Sequence, residues 1–361
     1  MESRQTATAI TILALMFAFY LLGGCKKEMT QDPGGGSGAT PAFLELPPWV
    51  LDSLDPMPMP VDNPLTVEGI ALGRRLFYEK ALSDNYTQSC ASCHVQSHGF
   101  SDPLAFSVGT NGATGTRNAM AVINLGWEQF FFWDGRRVSL EGQAHDPVTN
   151  MIEMRNTWPV VVDRLQADPE YMAQFQAAFG TSIIDSNLVV KAIAQFERTL
   201  LSFNSRYDRF AFEGDSNALS AQEIRGLDLF FRDAHCGDCH LKHRLTDGAM
   251  RNNGLDLVPV DSGLGAITGQ PAHMGRFKVP TLRNIAATAP YMHDSRFTTL
   301  EEVLVFYAND VQIGAATLDA HMAPWELGVI DLDSADRSDI VAFLLALTDN
   351  AFLTDPNFAE P

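Results

Sequence analysis

Two copies of one short pattern constrain this chain more than any other feature. Cys90-Ala91-Ser92-Cys93-His94 and Cys236-Gly237-Asp238-Cys239-His240 both read Cys-x-x-Cys-His, with 141 residues between them. Three chemistries use cysteines at this spacing. A zinc ribbon places its two Cys-x-x-Cys halves about 15–20 residues apart, whereas Cys93 and Cys236 are 143 positions apart. A thioredoxin-like redox pair has no need of a histidine directly after its second cysteine, twice over. Covalent c-type haem needs all three residues: two thioether bonds fix the porphyrin, and the adjacent imidazole becomes the proximal iron ligand. The chain is therefore expected to carry two covalently bound haem c groups. Cys90, Cys93 and His94 hold the first; Cys236, Cys239 and His240 hold the second.

The fifth cysteine, Cys25, closes the stretch "MESRQTATAITILALMFAFYLLGGC", so none is left for a structural disulfide. Ala7 to Leu22 form an apolar run after the early Arg4, too short for a comfortable membrane span and of signal-peptide proportions. The small residues before Cys25 resemble a bacterial lipobox. That resemblance implies removal of residues 1–24, lipid on Cys25 and a membrane anchor. The expected location is the periplasm, where lone thiols would be a liability. Lys26 is compatible with the outer membrane rather than the inner. The Gly-, Ser- and Pro-rich "KKEMTQDPGGGSGATPAF" reads as a flexible tether, expected over residues 25–60.

At 361 residues the chain exceeds one ordinary domain. The expected division is a first haem domain over 61–215, a second over 216–350, and a C-terminal tail over 351–361. The net charge of −19 excludes nucleic acid as a partner and favours a basic protein. Loss of residues 1–24 removes one Glu and one Arg and leaves that charge unchanged. An internal repeat supports the division: "GRRLF" (73–77) precedes the first haem motif and "GLDLF" (226–230) the second. Ser220-x-x-Glu223 is a capping-box signature for the second of these helices. Asp168, Pro169 and Gly180 bracket another as cap, first residue and stop. Helical spacing recurs over 186–202, 299–310 and 334–349, and strand signals are sparse. The expected fold is all-α: two tandem c-type cytochrome domains with long irregular loops around the haems.

Three segments then carry a resemblance: "GTRNAMAVIN" (115–124), "FFFWDGRRVSLEGQAHDPVTNMIEM" (130–154) and "FKVPTLRNIAATAPYMHDSRFTTLEEVLVFY" (277–307). With the two haem motifs they resemble, in order over roughly 64–350, the bacterial dihaem cytochrome c peroxidases and their MauG-like relatives. Peroxide chemistry at a haem with one open side needs a base to move a proton from one peroxide oxygen to the other, which leaves as water. The resemblance puts Glu153 in that role and Gln143, ten residues earlier, as hydrogen-bond donor to the bound oxygen. It puts Trp133, ten residues earlier again, between the haems as an electron conduit, and Pro147 in the pocket wall. On residue type alone Glu153 is a solvated carboxylate and Trp133 a core residue, while Gln143 carries no signal. The joint spacing behind a haem motif changes those readings. The resemblance also implies a calcium ion held by Asn118 and the backbone carbonyls of Thr288 and Pro290; oxygen donors suit that ion. His98 and His145 read as loop or structural histidines, and His293 as structural or supporting.

Two positions depart from the peroxidase pattern. Sixteen residues after His94, where many relatives carry a histidine that caps the iron, stands Thr110. The first haem is then expected to be open or water-capped at rest. Fourteen residues after His293, where peroxidases carry a methionine ligand, stands Tyr307, as in MauG-like enzymes. A phenolate stabilises oxidised iron; the competing reading gives that place to Met274, Met292 or Met322. The main expectation is a periplasmic peroxidase that reduces hydrogen peroxide with electrons from a small cytochrome c or cupredoxin. The alternative is a MauG-like oxidase that modifies Trp or Tyr side chains of a partner protein. A dihaem electron carrier without enzymatic activity fits less well with Glu153, Gln143 and Trp133.

Overall fold

Side-chain caps set where the helices begin. The computed structural model of the protein describes residues 38–328 and 330–361. The expected leader and the lipidation of Cys25 lie outside the described residues. Helix α1 (Val67–Phe77) opens on Thr66, whose hydroxyl accepts from Gly69 N at 3.0 Å. Helix α2 (Leu140–Thr149) opens on Ser139, and α3 (Trp158–Gln166) follows it. Helix α4 (Pro169–Phe179) has the expected cap at Asp168 and stops at Gly180, which adopts φ 74°. Helix α5 (Ser186–Glu197) is capped by Asp185. After α6 (Arg206–Phe212), α7 (Ala221–Asp228) starts on the expected Ser220–Glu223 capping box. Thr299 and Asp333 cap α8 (Leu300–Val305) and α9 (Ser334–Leu345). Among the described residues, strand is confined to Met250–Arg251 paired with Phe277–Lys278. The expected helix over 299–310 changes pitch: α8 ends at Val305, and Phe306–Asp310 forms a π turn. A second π turn, Leu229–Asp233, leads into the second haem motif. Such turns recur at functional sites because they rotate the following side chains out of helical register.

Two hydrophobic cores organise these helices. Leu72, Leu76, Phe77, Ile193 and Phe196 belong to the first, and Phe230, Leu304, Ile340, Phe343 and Leu347 to the second. The repeat noted at Gly73 and Gly226 explains how each core closes. A Cβ at Gly73 would lie 1.8 Å from the carbonyl oxygen of Ala192 on α5, and one at Gly226 would lie 1.9 Å from that of Asp339 on α9. Each glycine thus lets its helix rest directly on the backbone of another.

The loops repeat as well. Asn124 and Asn284 both take φ near +56° (55° and 57°), each ahead of a single 3₁₀ turn. The hairpins Phe131↔Arg137 and Tyr291↔Phe297 then lead into α2 and α8. A buried polar hub ties the halves together. Ser202 N donates to Asn124 Oδ1 at 2.9 Å, Asn284 Nδ2 donates to Ser202 Oγ at 3.0 Å, and Asp349 N donates to Asn284 Oδ1 at 2.7 Å.

Both ends of the chain differ from a simple tether and tail. Residues 48–53, expected within the flexible tether, form a short helix. Its Trp49 is buried, stacked on Phe212 at 4.3 Å and edge-on to Phe203 at 5.5 Å. Apolar burial outweighs the ordering cost there, and the Pro-rich composition could not show where Trp49 finds its partners. The tail returns to the first core: Phe352 meets Phe100 at 5.6 Å, and Arg74 donates to the carbonyls of Pro356 and Ala359 at 2.7 Å each. Among the described residues no helix is long and apolar enough to cross a membrane. Gly73→Ala or Gly226→Ala forces a methyl group into backbone and should cost about 1–3 kcal/mol. The thermal unfolding midpoint of the purified protein should fall for each variant, while Gly115→Ala, whose Cβ meets nothing nearer than 4.0 Å, serves as the mild control.

Candidate functional site: two haem cradles and the ground between them

Each Cys-x-x-Cys-His motif forms a single 3₁₀ turn, Cys90–Ser92 and Cys236–Asp238, with His94 N and His240 N returning to the first cysteine's carbonyl at 3.0 Å. All four thiols are free. His94 Nδ1 donates to the carbonyl of Phe100 at 2.8 Å, and His240 Nδ1 donates to that of Leu245 at 3.0 Å. A carbonyl acceptor fixes the proton on Nδ1 and leaves the Nε2 lone pair for a metal. Burial disfavours protonation of both rings, so both are held as neutral imidazoles. Four unbridged thiols and two imidazoles locked in the iron-binding tautomer are what covalent haem c requires, and the residues fit the group at both motifs.

The second cradle is a cavity of ≈ 240 Å³ lined by Cys236, Cys239, His240 and Tyr307, with Met292 and Met322 on the same wall. Tyr307 stands on the π turn, and Asn253 Nδ2 donates to its hydroxyl oxygen at 3.0 Å. Burial pushes the Tyr307 hydroxyl up to about 12, with the Asn253 bond pulling the other way. The same Asn253 nitrogen lies 3.9 Å from Met292 Sδ. Met274 is not part of this wall; its carbonyl accepts from Thr317 Oγ1 at 2.6 Å.

The cavity continues to the ground between the cradles, where Trp133, His293, Asn118, Thr288 and Pro290 also line it. Trp133 Nε1 donates to the Asn118 carbonyl at 2.9 Å, and Asn118 N donates to the His293 carbonyl at 2.8 Å. The Trp133 ring stands edge-on to His293 at 6.4 Å, and His293 stacks on Phe277 at 3.8 Å. The repeated hairpins make Trp133 and His293 equivalent positions. Arg117 clamps the region, bonded to Asp134 at 2.6 Å and to Asp261 at 2.7 Å.

Gln143 and Pro147 lie four residues apart on α2 and so share a face. The chain then turns back: Met154 N donates to the Pro147 carbonyl at 3.2 Å, and Glu153 N to that of Asn150 at 3.1 Å. This turn carries Glu153, whose Oε1 accepts from Asn150 Nδ2 at 2.6 Å. Desolvation raises the Glu153 carboxyl above the ordinary carboxylate value, against the pull of Arg136. Thr110 N donates to the Glu153 carbonyl at 3.0 Å, and Thr110 Oγ1 is buried without a partner. His145 packs on Trp158 at 4.9 Å, and His98 lies in the haem loop with its carbonyl accepting from Ser101 Oγ at 2.7 Å. Asn150, Arg136 and Asn253 were missed in the sequence. Arg136 lay within a segment already singled out, but a neutral amide next to a functional group leaves no mark in composition.

With this geometry in view, comparison with known proteins is consistent. A family profile described as di-haem cytochrome c peroxidase matches residues 67–217. The methylamine utilization protein MauG of Methylorubrum extorquens is 39% identical over 294 residues, covering 81% of each chain. The cytochrome c551 peroxidase of Nitrosomonas europaea is 32% identical over 309 residues, covering 84% of this chain and 86% of its own. Among solved structures, a MauG-like protein associated with microbial copper homeostasis superposes with a TM-score of 0.81 at 36% identity, covering 89% of this chain and 99% of that one. Replacing Cys236 and Cys239 together by Ser should leave one covalent haem per chain instead of two. A pyridine haemochrome assay per mole of protein reads the ratio, and an unchanged haem content would contradict the cradle assignment.

Proposed function

Because the chain belongs to the di-haem cytochrome c peroxidase family, with its MauG-like relatives, we propose that it reduces hydrogen peroxide to water. Electrons come from a small redox protein, a cytochrome c or a cupredoxin, and enter through the second haem. The observation that carries this reading is the desolvated Glu153, bonded to Asn150 and folded back toward the α2 face that bears Gln143 and Pro147. Haem, when bound, supplies the iron that accepts peroxide and the electrons that reduce it; the overall change takes up two electrons and two protons per peroxide. The side chains do the rest. Glu153 takes a proton from the near oxygen of peroxide and returns it to the oxygen that leaves as water. Gln143 donates a hydrogen bond that holds the peroxide in line, and Pro147 excludes water beside it. His94, fixed through Phe100, would offer its Nε2 to the iron of the first haem. Trp133 conveys electrons between the cradles. Thr110 offers no ligand, so the first haem needs no reductive release of a cap.

The same proposal places a calcium ion at Asn118 and the carbonyls of Thr288 and Pro290, which share one wall of the cavity. It places Cys25 on a periplasmic membrane surface through lipid, with the net charge of −19 attracting a basic donor at rates that fall with salt. A second reading is favoured by one observation, the Asn253 bond to Tyr307. A phenolate ligand there lowers the second haem's potential, which suits a MauG-like oxidase that withdraws electrons from Trp or Tyr of a partner protein.

Glu153→Gln should lower kcat/KM for peroxide by about 10²–10⁴ with the resting spectrum unchanged; full retained activity would remove Glu153 from the mechanism. In the wild type, Glu153 must be ionised to take the first proton. Its rate should therefore fall as pH drops through a pKa raised above the ordinary 4.5, and this limb should be missing from the residual activity of Glu153→Gln. Steady-state peroxide consumption with a panel of reduced cytochromes separates the two readings. Tyr307→Met should raise the second haem's midpoint potential and speed turnover with a high-potential donor. An all-ferric electron paramagnetic resonance spectrum with both haems low-spin and bis-histidine in character would contradict the open first face.

A further inference from the structure

Glu197, the last residue of α5, has no part in the chemistry above. It is 4% exposed, and its Oε2 is buried without a hydrogen-bond partner among the described residues. The charged groups that face it are Arg198 and Glu141. Arg198 is already committed to Glu141 through bonds of 2.8 and 3.2 Å, and Glu141 also accepts from Asn63 Nδ2 at 2.7 Å. Among the described residues no hydrogen bond or ion pair reaches the Glu197 Oε2, although the Arg198 Nε is also buried without a partner and its charge favours the ionised form. Of the charges acting on the Cys90 thiol, Glu197 is the strongest, ahead even of Cys93 three residues along the chain. The carboxyl's charge thus acts on the first thioether position.

The internal repeat gives an independent line to the same place. Gly73 faces Ala192 and Phe196 on α5, as Gly226 faces Asp339 and Phe343 on α9. That register sets Glu197 opposite Leu344, and Leu344 lines the second cradle together with Cys236 and His240. Where the second half has an isobutyl group at this register position, the first half has a carboxyl.

A carboxylate buried without a donor is costly, and the group protonates instead. Burial pushes Glu197 up to about 8. An electron added to the nearby haem makes a neighbouring negative charge costlier still, and linkage makes the effect reciprocal. We infer that Glu197 is a redox-linked proton site of the first haem domain, binding a proton from solvent when the first haem gains an electron and releasing it when the electron leaves. One electron and one proton enter together, so the net charge of the buried pair of groups is conserved. The inference rests on haem attachment at Cys90 and Cys93 and not on the peroxide reaction, so a holoprotein inactive toward peroxide still tests it.

The test is spectroelectrochemical titration of both haems in the holoprotein from neutral to alkaline pH. Above the oxidised-state pKa the first haem's reduction equilibrium should fall tenfold per pH unit, about 59 mV for a one-electron couple. Glu197→Gln should flatten that segment and Glu197→Asp should retain one, while the second haem behaves alike in all three proteins. A slope that persists in Glu197→Gln, or one lost equally at both haems, overturns the inference. Infrared difference spectroscopy of the wild type on reduction in that pH range gives a second readout that needs no variant. Growth of a protonated-carboxyl C=O band supports the site, and its absence overturns it.

Discussion

At Gly73 and at Gly226 a helix rests on the bare backbone of another, and the arrangement of both haem cradles follows from those two contacts. Neither position leaves room for a Cβ. The close approach brings Phe77 against Phe196 at 5.3 Å in one half and Phe230 against Phe343 at 5.3 Å in the other. Those phenyl rings lie beside the proximal histidines: Phe77 stands 6.5 Å from His94 and Phe230 stands 6.4 Å from His240. The packing thus supplies the apolar floor that keeps each imidazole neutral, and the carbonyls of Phe100 and Leu245 fix its tautomer. Haem attachment adds covalent bonds to a geometry that helix packing has already set.

The repeat explains how one fold provides two environments. The hairpin register that pairs Trp133 with His293 also pairs Pro147 with Tyr307, because Ser139 and Thr299 cap the helices that carry them. In the proposed reading the proline, which cannot ligate, would leave the first site to Glu153 and Gln143, and the tyrosine at the equivalent point would be a ligand at the second. Glu197 and Leu344 are a third such pair. The two halves thus differ at these paired positions, while the glycine contacts, the caps and the left-handed asparagines stay alike.

Legibility in the sequence followed the range of the interaction. Haem attachment was readable because a covalent chemistry fixes both residue type and spacing at Cys90–His94 and Cys236–His240. The helix bounded by Asp168 and Gly180 was readable because capping is a contact between near neighbours. The tether was misjudged as far as residue 60 because Trp49 meets Phe203 and Phe212 far along the chain, and composition does not report long-range burial. Asn150 and Asn253 stayed hidden for the same reason: an amide gains a role only from the group it happens to face. Nothing in the sequence marks Glu197, whose burial shows only in the packed fold.

In the proposed reading, electrons pass between the cradles through Trp133, whose indole N–H is tied to the Asn118 carbonyl while its ring stands edge-on to His293. The same ground carries titratable groups of its own: Glu128, Lys278 and His293 line it, and the Arg117 clamp is satisfied by Asp134 and Asp261. The two carboxyls that desolvation displaces upward, Glu153 and Glu197, both belong to the first half. The repeat keeps its carboxyls asymmetric: the place of Glu197 in the first half is held by Leu344 in the second, so the proton site proposed at Glu197 has no counterpart there.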